Sequence, residues 1–503
     1  MIFSTISQHK RNSFKFYAGV SLAFFMLSHQ STAQELGLDN FVQSILQNSP
    51  GVQKILAEQD IASGLRDASL GINDGTISTS LNISQTEPNK IYGLEPNLSK
   101  NNNLTLAYNR LFSETGTRLS LAYNNLYTDV NPVTLLAGSQ YYQPSITVKL
   151  TQPLLKNAGG IQDSLNIKLS EINYQLSVFN SQENLENYIS QLVLLYLDWY
   201  LASQELKISK EVHLQSIEQE KLTRTKVNRQ VIEPYELLRA QELREDYYSR
   251  LQQAQGRFSG LTQQIKYQMN SDSPLIDKNL VPTNPSISNL FLLNKHKARE
   301  DNYLTNSSRL KSILDALNEQ QLIVLDAKDN AKASDLNLSV GYTRHSIDQD
   351  IDSATLNKDD YSIMLEYKYL LGNRNASGDF QSQLAKKQQV EYDTQQRLID
   401  AQANLESLKI QSSQLKISLE SVDRKILLGK QKLIKEQRLF RIGKLDLFEL
   451  LKDQTSHLES RLNRERLLIQ HLSLQLNIGE LLDQNLETYA TTLKTEASSA
   501  IKE

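Results

Sequence analysis

The sequence predicts an α+β membrane protein: a long antiparallel α-helical coiled-coil barrel joined to a transmembrane β-barrel shared between protomers. Three observations predict it. Two helical stretches, Ile161–Asn228 and Arg374–Arg441, are far longer than a compact domain can hold. The chain is duplicated, with helices and strands in the same order in both halves. Short segments alternating apolar and polar residues precede each long helix, in a chain with an export signal and no later apolar span.

In the second long stretch Leu398, Ala401, Leu405, Leu408, Leu415, Leu419, Val422 and Ile426 follow steps of three and four, broken only at Ser412. That spacing writes one apolar seam along a helix, with polar residues on its other faces. Leu185, Tyr188, Ile189, Leu192, Leu195, Tyr196 and Trp199 repeat it in the first. At about 1.5 Å of rise per residue each helix extends on the order of 100 Å. Such a helix has to be a stave of a bundle or tube.

The remaining elements follow in chain order. Lys10, Arg11 and Lys15, the apolar run Phe16–Leu27 and Ser31-Thr32-Ala33 read as a signal peptide over 1–33, with Gln34 as the first mature residue. The first repeat, 34–272, starts with a helix from Leu38 to about Leu70, interrupted by a turn at Asn48-Ser49-Pro50. Ile77, Thr79, Leu81 and Ile83 then alternate with Ser78, Ser80, Asn82 and Ser84, the period of a strand. An inserted hairpin over 103–127 turns at Glu114-Thr115-Gly116-Thr117, and a further strand runs over Ser145–Thr151. The long helix ends near Asn228, and Pro234 opens the returning helix, since proline is tolerated in a first turn. Pro274, Pro282 and Pro285 mark an equatorial linker over 273–296. The second repeat, 297–485, holds a helix to Ala333, strands Asp335–Thr343 and Tyr361–Tyr369, the second long helix, a tip and a returning helix; 486–503 is a polar tail.

The duplication aligns residue by residue. Glu236, Leu237, Leu238 and Gln241 beyond the first tip match Glu449, Leu450, Leu451 and Gln454 beyond the second. Asn48-Ser49 and Ile55-Leu56 recur as Asn306-Ser307 and Ile313-Leu314. The offset between halves differs at these two matches by about 45 residues, the length of the inserted hairpin with its flanks.

An exported chain without a spanning helix can still enter an outer membrane as a closed barrel of alternating strands. Tyr108, Tyr123, Tyr142, Tyr342, Tyr361 and Tyr367 stand where an aromatic girdle belongs, against outer-membrane lipid. One chain offers roughly four strands, or about six with the hairpin, whereas the smallest membrane barrels need about eight. Several copies must therefore share one barrel.

The stretch Leu38–Leu56, Gln152-Pro153-Leu154-Leu155, Leu371-Gly372-Asn373-Arg374 and the tip Arg441-Ile442-Gly443 followed by Leu450-Leu451 and Gln454 stand in a characteristic order. In them, and across the whole mature chain, the sequence resembles the TolC family of outer-membrane efflux channels. The resemblance implies a homotrimer in the outer membrane of a Gram-negative bacterium and a helical tunnel across the periplasm. It also implies docking to a periplasmic adaptor (membrane fusion) protein and an inner-membrane pump. The chain would then be the exit duct of a tripartite efflux or type I secretion system, for small molecules or polypeptides. Two departures are visible. The hairpin would either enlarge a barrel of about twelve strands or cap it outside. The first tip has Gln230 where the second has Gly443.

A duct needs a polar bore, a gate and a docking end. Arg229, Glu233, Arg441, Lys444 and Asp446, in the turns between paired helices, are the expected gate or adaptor-docking contacts, and Gly443 serves its turn by allowing positive φ. No catalytic residue, metal site or cofactor is expected. Cysteine is absent, and the histidines lack metal-ligand spacing. Asp348-x-Asp350-x-Asp352 with Asp359 only distantly resembles a calcium loop, because Ser353 stands where glycine is required. A net charge of −3 with scattered Lys and Arg leaves no footprint for nucleic acid. The competing reading is a non-transporting periplasmic coiled-coil spacer or adhesin-like stalk.

Overall fold

The computed structural model describes residues 34–87, 98–131, 140–269, 279–285, 303–349 and 355–486. The expected signal segment, most of the 273–296 linker, residues 297–302, residues 350–354 of the acidic loop and the tail from 487 lie outside the described residues.

Helices α1 (Leu38–Asn48) and α2 (Pro50–Leu70) are divided by Ser49, whose Oγ accepts from Gly51 N at 3.1 Å and caps α2 at its opening proline. Helix α3 (Leu165–Asn228) starts later than its period suggests. Asn157, Gly159 and Gly160 hold φ of 64°, 67° and 65°, a tight turn that keeps the residues from 161 to 164 out of the helix. Helix α4 (Pro234–Gln268) returns beside it. Of the helix expected from residue 297 to Ala333, the described part is divided into α5 (Tyr303–Asn306) and α6 (Arg309–Asn330), because Ser308 caps a fresh start by accepting from Lys311 N. Helices α7 (Arg374–Arg441) and α8 (Leu447–Leu481) complete the set.

Strand β1 (Gln34–Leu36) pairs in parallel with β6 (Leu280–Pro282), so the linker is not wholly irregular. The other strands are β2 (Thr76–Thr86), β3 (Leu98–Phe112), β4 (Thr117–Asn131), β5 (Gln140–Pro153), β7 (Asp335–His345) and β8 (Lys358–Lys368). They form one antiparallel sheet in the order β2-β3-β4-β5-β7-β8. The hairpin is longer than 103–127 at both ends, since ladder hydrogen bonds need no apolar side chain and carry pairing on through Lys100, Asn101 and Asp129.

Each long helix packs on a shorter helix in each half of its length. Beside the sheet the order across the chain is α2-α3-α6-α7; toward the tips it is α4-α3-α8-α7. The main core lies between these tiers. Phe41, Tyr196 and Trp199 are fully buried there. Trp199 stacks on Phe258 with ring centroids 6.3 Å apart, and its Nε1 donates to Thr262 Oγ1 at 2.8 Å. The Tyr196 hydroxyl lies 2.8 Å from Leu36 O, tying α3 to the β1–β6 pair.

Candidate functional site

The sheet has one apolar and one polar face, and the registers assign every strand to them. The cross-strand row Ile77–Tyr108–Leu121–Val148–Tyr342–Tyr361 is apolar or aromatic on all six strands. The row Ser80–Thr105–Asn124–Ser145–His345–Lys358, on the opposite face, is polar throughout. Polar-face side chains bond across strands: Thr105 Oγ1 donates to Asn124 Oδ1 at 2.8 Å, and Thr147 and Thr343 hydroxyls lie 3.0 Å apart.

Tyr108, Tyr123, Tyr142, Tyr342, Tyr361 and Tyr367 all lie on the apolar face. Tyr142 meets Tyr127 near the edge away from the helices, with ring centroids 4.9 Å apart, and Tyr367 lies at the helix-side end. Tyr342 and Tyr361 face each other at 5.2 Å. Of the acidic loop, Asp348 pairs its backbone with Tyr142, and the Asp359 carboxylate accepts from the Tyr342 hydroxyl at 2.8 Å.

At the opposite end of the molecule the two helix–helix turns adopt one backbone conformation. Gln230 and Gly443 both have positive φ, 57° and 74°. In both, the amide that follows reaches back to the last helical turn: Val231 N to Lys226 O at 3.0 Å and Lys444 N to Leu439 O at 2.9 Å. The difference in residue type is therefore absorbed by strain at Gln230, not by a different turn. Glu233 and Asp446 hold equivalent positions ahead of α4 and α8. The turns pack together through Lys226, whose Nζ donates to Phe440 O and lies 3.5 Å from the centre of its ring, above Leu447, Leu450 and Ala240. Arg229, Glu233, Arg441, Gly443, Lys444 and Asp446 are exposed, and among the described residues their charges make no ion pair within the chain.

Behind the tips lie ionic contacts that the sequence does not announce. Glu220 accepts from Arg224 and Arg244, each at 2.7 Å, and Lys432 bridges Glu436 and Asp453 at 3.4 and 2.5 Å. Where α8 ends, Glu183, Glu186 and Asp483 converge on Arg309, whose guanidinium supplies the positive charge such a carboxylate cluster needs.

Helix α7 carries a second apolar stripe. Tyr392, Ile399, Ile410, Ile417 and Leu428 recur at steps of seven and eleven, on the side about 180° round from the Leu398–Ile426 seam. Each is more than half exposed. A helix needs an apolar stripe on two opposite sides only if it has neighbours on both.

No protein-family model matches the sequence, and a search of curated proteins finds no match. The fold matches solved structures. It superposes on the outer-membrane channel OprN with a TM-score of 0.65, over 89% of this chain and 90% of that one, at 12% identity. The CmeC outer membrane channel of Campylobacter jejuni gives a TM-score of 0.62 over 91% and 89% at 12% identity. The outer membrane protein VceC of Vibrio cholerae gives 0.62 over 89% and 96% at 11% identity. The chain thus has the fold of these outer-membrane channels over 89–91% of its length.

Proposed function

We propose that this chain is the outer-membrane channel of a tripartite export assembly, a passive exit duct of an efflux or type I secretion system in a Gram-negative bacterium. One observation carries the reading: among the described residues, the same two sides of the chain stand open at every level. The sheet ends at β2 and β8, the upper helical tier at α2 and α7, and the lower tier at α4 and α7. The α7–β8 side of one copy suits the β2–α2–α4 side of the next, a head-to-tail contact that closes into a ring. The exposed stripe on α7 lies on that side, and Ile61 and Leu65 are exposed on α2.

In a homotrimer such contacts close both a β-barrel and an α-helical tube. The apolar face of the sheet meets outer-membrane lipid, with its tyrosines as girdle, and the polar face lines the bore. The tube hangs into the periplasm and places the tips at its far end, where Arg229, Glu233, Arg441, Lys444 and Asp446 gate the bore or meet a periplasmic adaptor. An inner-membrane pump supplies the driving force. The duct itself needs no catalytic group and no cofactor.

The test is made on outer-membrane extracts and planar bilayers. A duct gives a heat-modifiable oligomer and ion conductance. A periplasmic spacer or adhesin-like stalk gives neither, and that result overturns the reading.

A further inference from the structure

We infer that the hairpin β3–β4 crosses the membrane as two further strands of the barrel wall, so that each chain contributes six wall strands and the bore is wider than the duplicated plan alone provides. The inference rests on the outer-membrane reading above.

The first argument is where the hairpin turns. A hairpin that caps the barrel from outside has its turn at the edge far from the helices. Here the turn lies at the helix-side end. Ser113 N donates to Asn73 Oδ1 at 2.9 Å, just ahead of β2, and Gln152 Nε2 donates to Thr115 O at 2.9 Å, at the end of β5. A Cβ on Gly160 would collide with Ser113 O, so the turn is pressed against the segment leading into α3. Arg118, at the start of β4, reaches Asp163 in that segment at 3.4 Å. To leave β2 at the far edge, reach this turn and return to β5, β3 and β4 must each run the full height of the sheet.

The second argument is pairing. β3 is bonded to β2 from Thr76 to Thr86, and β4 to β5 from Arg118 to Thr151 down to Asp129 and Gln140. With the hairpin out of the wall, the edges of β2 and β5 that it now pairs would stand open, which hydrocarbon does not tolerate.

The third argument is the faces. Leu104, Leu106 and Tyr108 on β3 and Leu119, Leu121 and Tyr123 on β4 share the apolar face with Ile77, Leu81, Val148 and Val340. Thr105, Asn124 and Ser120 share the polar face. A hairpin standing in water has no use for that division. Of the charges on the apolar face, Arg110 lies near the helix-side rim with its guanidinium 5.0 Å from the centre of the Phe112 ring, and Lys100, Asp129, Arg344 and Asp359 lie toward the opposite end.

Barrel diameter grows roughly in proportion to strand number, so three chains of six strands make a wall of about eighteen, half again as wide as about twelve. Barrels of that size leave an open aqueous channel. The sheet end is then wider than the duplicated plan alone would make it.

The chain has no cysteine, so single cysteines report without background. Leu106→Cys and Leu121→Cys on the hairpin, and Val148→Cys on β5 as reference, are labelled with bimane. The assembled oligomers are placed in phosphatidylcholine vesicles with or without brominated acyl chains. Thr105→Cys tests the opposite face with a charged, water-soluble thiol reagent. Quenching at Leu106 and Leu121 within about two-fold of that at Val148, with Thr105 open to the aqueous reagent, is the expected result for membrane strands. Quenching at Val148 but not at either hairpin position overturns the inference and leaves the channel reading standing. Absence of quenching at Val148 as well overturns the channel reading itself. The two hairpin positions lie on different strands, so if one substitution prevents assembly the other still decides.

Discussion

Arg309 Nη1 lies 2.8 Å from Glu186 Oε2, and both side chains are buried, at 8% and 0% exposure. Glu183 and Asp483 approach the same guanidinium at 2.9 and 3.5 Å, and Glu186 Oε1 accepts from Asn485 N at 3.0 Å. This cluster fastens α3, the start of α6 and the end of α8 at one level. Burial pushes the Glu186 carboxyl up from the usual 4.5 to about 7, against the opposing charge of Arg309.

The sign of the pH effect follows from that shift. Between 4.5 and about 7 the folded chain holds a proton on Glu186 that the unfolded chain has lost. This contribution to stability is full below the ordinary value and is lost as pH rises through about 7. Its full size is about 3 kcal/mol. Thermal melting of the solubilised oligomer should therefore show wild type losing stability relative to Glu186→Gln across that window. A relative gain toward neutral pH contradicts the assignment. Arg309→Met strands the carboxylates and should cost about 3–5 kcal/mol, part of it recovered by adding Glu186→Gln.

Gln230 and Gly443 occupy matching left-handed turns, yet only glycine does so without strain. Among the described residues nothing lies within 4 Å of a Cβ built on Gly443, so Gly443→Ala is penalised by backbone conformation, by about 1 kcal/mol. Gln230→Gly should gain a similar amount. Hydrogen exchange at Val231 and Lys444, whose amides close the two turns, measures both. Faster exchange at Val231 in Gln230→Gly refutes the argument.

The staves and strands were legible because each follows a period that a buried seam or an apolar sheet face imposes. Even the break in the α7 seam has a reason: Ser412 is buried, and its hydroxyl meets His471 Nδ1 at 3.4 Å and accepts from Gln475 on α8. A polar residue that finds partners across a helix pair leaves no trace in a hydrophobic pattern. The same blindness hid the Glu186–Arg309 cluster, whose members are far apart in the chain, and the short β1–β6 pair. Strand ends at Leu98, Asn131 and Gln140 were missed because they lie beyond the apolar band that the alternation marks. The tips were found from Pro234 and Gly443, but among the described residues their charges make no ion pair within the chain, and one sequence does not encode distances to another.

The outer stripe of α7 makes assembly testable apart from folding. Ile410 and Ile417 face away from α6 and α8 and are exposed in the single chain. Ile410→Glu with Ile417→Glu should leave the helix content of the monomer unchanged and abolish the heat-modifiable oligomer, because two carboxylates would have to be buried between copies. Ile399→Glu with Leu428→Glu repeats the test on the same stripe. An oligomer that survives both pairs removes α7 from the contact between copies.

The tip charges divide by where their partners are. Lys432 finds Glu436 and Asp453 inside the chain, so Lys432→Ala should loosen the α7–α8 hairpin, visible as faster hydrogen exchange, without altering conductance. Arg441 and Asp446 are exposed, and among the described residues they have no ion-pair partner within the chain. If they hold the bore closed, they do so against neighbouring copies, where a ring of tips brings several such charges close together and each interaction is repeated by symmetry. Replacing both with alanine should then raise the conductance of the resting channel in planar bilayers. High salt should raise the wild-type conductance beyond the gain in bulk conductivity, since it screens exposed pairs. A double variant whose single-channel conductance equals that of wild type, in a chain that still assembles, counts against a gate role for Arg441 and Asp446.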